Sequence, residues 1–162
     1  GIFTNMSSEE IAKRVDEAFE TADGAAGMNN HMGSAVMENE SCLSAVLDAV
    51  KEHDAVFIDS VTSGKSKGEK LCKEKGICFF KRDVFLDSTR DINVVTKRLE
   101  EAKEKALKNG FAIAIGHVGP EGGKITAQAI KQMTPKLMSE GIEFVTISKM
   151  KELIENDGRG IY

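Results

Sequence analysis

A chain of 162 residues with 41% hydrophobic content has room for one domain with a real core. Lys and Arg number 22 against 26 Asp and Glu, a formal net charge of -4, and no basic block or basic-aromatic stripe breaks that balance, which argues against a nucleic-acid partner. No apolar stretch approaches the roughly 20 residues of a membrane span, and Gly1-Ile2-Phe3-Thr4-Asn5 lacks the charged and apolar regions of a signal peptide. The chain as given carries no address, although a parent protein could have had one removed.

The first element announces its own start. Ser7 followed by Glu10 has the capping-box pattern, and Ile11, Val15, Ala18 and Phe19 then share one helical face that ends near Asp23-Gly24. Ala25 to Met28 reads as a short strand. A second helix is expected from Glu40 to His53, because Leu43, Val46, Leu47 and Val50 recur at helical spacing. Ala55-Val56-Phe57-Ile58 is a continuous apolar run suited to a strand covered on both faces. A polar segment from Thr62 to Gly68 follows, then a short helix through Leu71 that closes on Gly76 and a strand over Ile77-Cys78-Phe79-Phe80.

Asp91 is the expected N-cap of a long helix with Val94, Val95, Leu99, Ala102 and Leu107 turned inward, closing at Asn109-Gly110. Phe111 to Ile115 reads as the clearest buried strand. After the loop Val118-Gly119-Pro120-Glu121-Gly122-Gly123, a helix begins near Ile125 and stops or restarts at Pro135, with Leu137 and Met138 buried. Ile142 to Ile147 is expected as the last strand and Lys149 to Glu155 as a closing helix. No repeat, low-complexity tract or linker divides the chain, so residues 1–162 read as a single domain. Strand and helix alternate about five times, which implies right-handed crossovers and a mainly parallel α/β sheet, open or closed into a barrel.

Four polar stretches follow short β-forming runs, where parallel α/β sheets and barrels collect their chemistry. They are Met28-Asn29-Asn30-His31-Met32-Gly33-Ser34, Phe57-Ile58-Asp59-Ser60, Lys81-Arg82-Asp83-Val84-Phe85-Leu86-Asp87, and Ala114-Ile115-Gly116-His117. The first packs two carboxamides, an imidazole, a glycine and a hydroxyl into one turn, able to coordinate a metal or hold a sugar. Cys42, Cys72 and Cys78 match neither a Cys-x-x-Cys redox motif nor a zinc site; they read as small buried hydrophobes, with a Cys72–Cys78 disulfide left open. The glycines from Gly119 to Gly123 invite a phosphate-loop reading, but Lys124 is followed by Ile125 where Ser or Thr belongs, and the upstream glycine is out of register.

These stretches resemble, in order, the divergent polysaccharide deacetylases: Asn29 to Ser34, Phe57 to Ser60 with Thr62, Arg82 to Asp87, Ile113 to His117, and the ending Glu140-Gly141-Ile142-Glu143-Phe144-Val145 with Ser148. The resemblance implies part of a distorted, irregular (β/α) barrel of the polysaccharide deacetylase and glycoside hydrolase-deacetylase type. It also implies hydrolysis of N- or O-acetyl groups on a polysaccharide, a bacterial source and a cell-envelope or extracytoplasmic setting. An unpaired cysteine weighs mildly against an oxidising compartment. The family's amino-terminal strand with paired aspartates, and a later strand carrying a His-Leu-Pro stretch, have no counterpart here. The chain thus resembles the later part of the barrel, as a fragment, a truncated product or one piece of a broken barrel. By the resemblance, the aspartates without counterpart would supply the catalytic base and a metal ligand.

Amide or ester hydrolysis needs an activated water, a clamp on the carbonyl and an acid for the leaving group. A divalent metal, zinc first, would supply the first two, with His31 as the expected ligand. His117 is the expected general acid, and Arg82 with Asp83 the expected carboxylate machinery, Arg82 steadying Asp83 or another carboxylate. Asn29, Asn30, Asp59 and Ser60 are candidates for substrate binding. Each has a plainer reading: His31 and His117 as satisfied structural residues, Arg82-Asp83 as a rim ion pair, Asp87 as a turn cap with Ser88, His53 as a helix C-terminal residue. The partner is then an acetylated carbohydrate, with self-association through open sheet edges. The alternative is a non-catalytic remnant that binds glycan or protein through the same rim.

Overall fold

The computed structural model describes residues 1–120 and 122–156. They form a mixed α/β arrangement of parallel strands and helices grouped into two compact units, residues 1–81 with the chain from Thr146 onward, and Arg82–Val145.

In the first unit, α1 (Ser8–Thr21) starts on the expected reciprocal cap: the Ser7 hydroxyl accepts from the Glu10 N–H at 3.2 Å, and Glu10 accepts from the Ser7 N–H at 2.9 Å. β1 (Gly27–Asn29) follows, two residues beyond the expected start. The short helix α2 (Ser34–Glu38) had no sequence expectation; with one buried residue, Met37, it is too brief to show a period. Then α3 (Glu40–Glu52) buries Leu43, Val46, Leu47 and Val50 as the spacing requires. β2 (Val56–Asp59), α4 (Gly68–Lys75) and β3 (Phe79–Lys81) complete the run, with Gly76 in the left-handed region closing α4 at φ 68°.

The strands pair in parallel in the order β1-β2-β3, with Met28 opposite Phe57 and Phe57 opposite Phe79. α1, α3 and α4 bury their apolar stripes with these strands in one core that includes Ile11, Leu47, Phe57, Leu71 and Cys72. All three cysteines are free thiols, so the open disulfide does not form. Burial pushes the Cys72 thiol up to about 12 and the Cys78 thiol up to about 11, which keeps both protonated and inert.

The second unit is built from β4 (Val84–Phe85), α5 (Ile92–Asn109), β5 (Ala114–Ile115) and α6 (Gly123–Ser139). α5 has the expected ends: Asp91 accepts from the Asn93 N–H at 2.8 Å, and Gly110 closes the helix at φ 91°. Val95 and Leu99 are buried there, whereas Leu107, expected inside, is exposed near the helix's C-terminal end. β4 and β5 pair in parallel, Val84 opposite Ala114. Val84, Leu86, Val95, Leu99, Ala129 and Leu137 make this unit's core.

Four expectations fail in this stretch. The run from Phe111 gives a strand of only two residues, because the Asp83 carboxylate takes the Ile113 N–H at 2.8 Å and ends the ladder. α6 continues through Pro135: the Thr134 hydroxyl donates to the Ile130 carbonyl at 2.7 Å, and the carbonyl that Pro135 cannot serve belongs to exposed Lys131. Buried Leu137 anchors the turn beyond the proline, while Met138 points out, contrary to expectation. Ile142 to Ile147 is not a strand. Gly141, at φ 90°, turns the chain so that the Ile142 N–H reaches the Leu137 carbonyl at 3.0 Å, and Ile142 packs back on the helix it leaves. α7 (Ile147–Asn156) then closes the described chain as expected and belongs to the first unit.

Neither sheet is closed among the described residues. Gly27 marks the tightest strand approach, since a Cβ there would lie 2.7 Å from the Val56 carbonyl oxygen. Gly27→Ala is therefore expected to lower stability by about 1–3 kcal/mol, as overpacking does, read as a fall in denaturant midpoint at constant slope. An unchanged midpoint would show that β1 and β2 can separate without cost.

Candidate functional site

In the first unit, the turns after β1 and β2 are tied by neutral side chains. Asn30 is the hub: its Oδ1 accepts from the Ser60 N–H at 2.8 Å, and its Nδ2 donates to the Thr62 hydroxyl at 2.9 Å. Asn29 donates to the Ser60 hydroxyl at 2.9 Å, and the Ser34 hydroxyl donates to the Thr62 carbonyl at 3.0 Å. Between Ser60 and Thr62, Val61 is held at φ 54°, a left-handed conformation that costs a β-branched residue on the order of 1–3 kcal/mol.

Asp59 braces this strained turn. Its side chain is buried, and its oxygens accept from the Val61 N–H at 2.7 Å and the Ser66 hydroxyl at 2.6 Å. Ser66 in turn accepts from the Gly68 N–H at 3.0 Å, linking the turn to the start of α4. Asn29, Asn30, Asp59 and Ser60 thus gather at one end of β1 and β2, with the two carboxamides and Ser60 at the surface side and Asp59 beneath. His31 lies exposed in the same turn, beside Met32, which has 80% of its surface exposed.

The second unit holds a charged arrangement. Asp87, two residues beyond β4, is buried, with its side chain 1% exposed. Its Oδ2 accepts from the His117 N–H at 2.7 Å and the Thr126 hydroxyl at 2.8 Å, and its Oδ1 faces His117 Nδ1 at 3.1 Å. Burial alone would push the Asp87 carboxyl up; the bonds from Thr126 and from the His117 backbone and ring outweigh it and hold the group below its ordinary value. Asp87 is therefore ionised at neutral pH and can only accept, so His117 Nδ1 carries the proton and Nε2 is the ring nitrogen turned away from the carboxylate. The Phe85 ring meets His117 edge-on with centroids 5.3 Å apart, and the Arg82 guanidinium stands 5.2 Å from the Phe85 centroid, within cation–π range.

The sequence-derived residues therefore divide. His117 has a carboxylate partner, but that partner is Asp87 and not Asp83, whose side chain secures the Ile113 N–H. Arg82 steadies an aromatic wall of His117. Thr126, and the pairing of Asp87 with it and with His117, escaped the sequence reading because these contacts span 39 and 30 residues and leave no local signal. The one signal present was Gly116: a Cβ there would lie 2.8 Å from the Thr126 methyl and 3.3 Å from Asp87 Oδ2, so only glycine lets β5 approach.

A metal fits these residues poorly on their own. Among the described residues no group of three or more His, Cys, Asp or Glu side chains converges to hold one, and the groups around the His31 turn are carboxamides and hydroxyls already bonded to each other. No helix among the described residues is long and apolar enough to cross a membrane.

The family model described as divergent polysaccharide deacetylase matches residues 1–151. The chain belongs to this family. An uncharacterised protein of Haemophilus influenzae is 32% identical over 142 residues, covering 88% of this chain and 51% of that protein. The uncharacterised Escherichia coli protein YibQ is 32% identical over 132 residues, covering 82% of this chain and 41% of that one. This deacetylase-family chain thus spans about half the length, or less, of these bacterial relatives. The crystal structure of an uncharacterised Agrobacterium tumefaciens protein superposes with a TM-score of 0.78 at 20% identity, covering 90% of this chain and 58% of that one, a likeness of fold.

The depressed Asp87 carboxyl has a consequence for stability. Because its folded value lies below its unfolded one, Asp87 stabilises the fold above the ordinary aspartate range, near pH 3.9, and that contribution disappears as pH falls through the folded value. Urea midpoints measured across pH 2–6 are expected to fall towards acid in the native protein and to fall less in Asp87→Asn, which should already be weaker at neutral pH. Parallel profiles for the two would mean that Asp87 carries no folded-state shift.

Proposed function

We propose that this chain is the later part of a carbohydrate deacetylase that hydrolyses N- or O-acetyl groups on a polysaccharide, with His117 as the general acid. The observation that carries this reading is the Asp87–His117 pair at the end of β5 in a chain of the divergent polysaccharide deacetylase family. The family supports the carbohydrate substrate, and the parallel strands with their fold neighbour support the distorted (β/α) barrel as the architecture of the whole protein.

The chemistry proceeds from the pair. Water adds to the acyl carbon, and the tetrahedral intermediate collapses as the C–N or C–O bond breaks. Protonated His117 gives its Nε2 proton to the departing sugar nitrogen or oxygen, while ionised Asp87 at Nδ1 stabilises the imidazolium before the transfer. Phe85 lines one side of the ring and limits its tilt, and Arg82 over Phe85 holds that wall in place. Asn29 and Ser60, neutral and able both to donate and to accept, suit sugar hydroxyls. Asp59 serves them from below through Val61, and Asp83 serves His117 by fixing β5.

The base that activates water, and the donors that would join His31 around a divalent metal, are assigned in this proposal to the part of the relatives' length that this chain does not span. The test is acetate release from acetylated oligosaccharides, run on this chain and on the full-length E. coli relative, with metal content measured on both. The full-length relative is expected to release acetate and to carry a divalent metal. His117→Ala, transferred to the aligned position there, should lower kcat on the order of 10²–10⁴-fold. No acetate from the full-length protein would leave the non-catalytic glycan-binding reading in its place, and full activity after loss of this histidine would remove His117 as the general acid.

A further inference from the structure

We propose that Thr126 is a positioning residue for His117, setting through Asp87 which ring nitrogen keeps the proton. This inference rests on reading His117 as the proton donor. An aspartate carboxylate rotates about a broad two-fold torsion, so a single contact with an imidazole does not fix its plane. Here Oδ2 is pinned from two directions, by the His117 N–H at 2.7 Å and the Thr126 hydroxyl at 2.8 Å, and Oδ1 is left to face Nδ1.

The plainer role for a threonine in the first turn of a helix is to bond its hydroxyl back to the carbonyl four residues earlier. That partner, the Gly122 carbonyl, is present at 3.3 Å. A hydroxyl has one proton to give, and it goes to the nearer, charged acceptor at 2.8 Å, since bonds to an ionised acceptor are shorter and stronger. The Thr126 methyl occupies the space where Gly116 lacks a side chain, so the rotamer that aims the hydroxyl at Asp87 is held by packing on its other branch. Thr126 is buried, which removes water as a substitute donor.

The consequence is specific. With the plane of the carboxylate fixed, Oδ1 accepts from Nδ1–H and Nε2 is the nitrogen that exchanges protons with substrate. Without the hydroxyl, Asp87 can turn, and the imidazole is free to carry its neutral-state proton on either nitrogen.

The experiment is nitrogen NMR of the His117 ring, with carbon NMR of the Asp87 carboxyl, on the full chain bearing Thr126, Thr126→Ser or Thr126→Val. The native protein and Thr126→Ser are expected to show one neutral tautomer, protonated at Nδ1. Thr126→Val should show a mixture of tautomers and an Asp87 titration midpoint shifted upwards. The same single tautomer and midpoint in a folded Thr126→Val would overturn the proposal. Should Thr126→Val not fold, the native protein decides the matter: a Thr126 hydroxyl proton protected from exchange with water is expected, and one averaged with bulk water overturns it. None of these signals requires substrate, so failure of acetate release would remove the deacetylase reading without altering this result, and a negative NMR result would leave acetate release standing.

Discussion

The second unit turns on one buried negative charge. Taking a carboxylate out of water costs several kcal/mol unless hydrogen bonds replace the solvent, and Asp87 recovers them from the backbone of His117, the ring of His117 and the hydroxyl of Thr126. Those donors lie on the segment after β5 and on α6, while Asp87 itself follows β4. The requirement to satisfy one ion thus fixes three pieces of chain relative to each other, and the close approach at Gly116 follows from it. The first unit uses the same device without the histidine: buried Asp59, at the end of β2, takes the Val61 N–H and the Ser66 hydroxyl and holds a backbone that valine would not adopt unaided.

How readily each part could be read from the sequence follows from how local its cause is. The caps of α1 and α5 and the left-handed glycines after α4 and α5 are written within four residues of where they act, and the structure has each of them in place. The apolar stripe of α3 was equally plain. Strands were harder, because an apolar run states burial and not pairing. Phe111 to Ile115 looked like five residues of ladder and gave two, since a side chain from Asp83, 30 residues away, replaces the missing bond. Ile142 to Ile147 is as apolar as a strand, yet its first residue is partly buried by folding back on α6 and its last begins α7.

The candidate residues show the same limit. His117 was visible as a polar residue ending an apolar run, and the cluster of Asn29, Asn30 and Ser60 as polar turns after strands. What could not be seen was which carboxylate serves His117. Asp83 stands next to Arg82, and adjacency in sequence favoured an ion pair, but the Asp83 carboxylate takes the Ile113 N–H. Asp87, four residues on and past the strand, resembled an ordinary turn residue beside Ser88. Only pairing of β4 with β5, Phe85 opposite Ile115, brings it to His117.

The contrast between the two clusters bears on what each would contribute to the proposed reaction. The turns after β1 and β2 present neutral amides and hydroxyls whose partners are one another, a surface that can exchange those bonds for sugar hydroxyls at little electrostatic cost. The pair after β4 and β5 presents a charge already desolvated and oriented, so that a proton transfer there needs no reorganisation of water. The described partners of the proposed acid, Asp87 and Thr126, both lie within Arg82–Val145. Its orientation draws on Asp87, Thr126 and Gly116, all of one unit, so the proposed proton donor is held by groups separate from those assigned to the base and the metal.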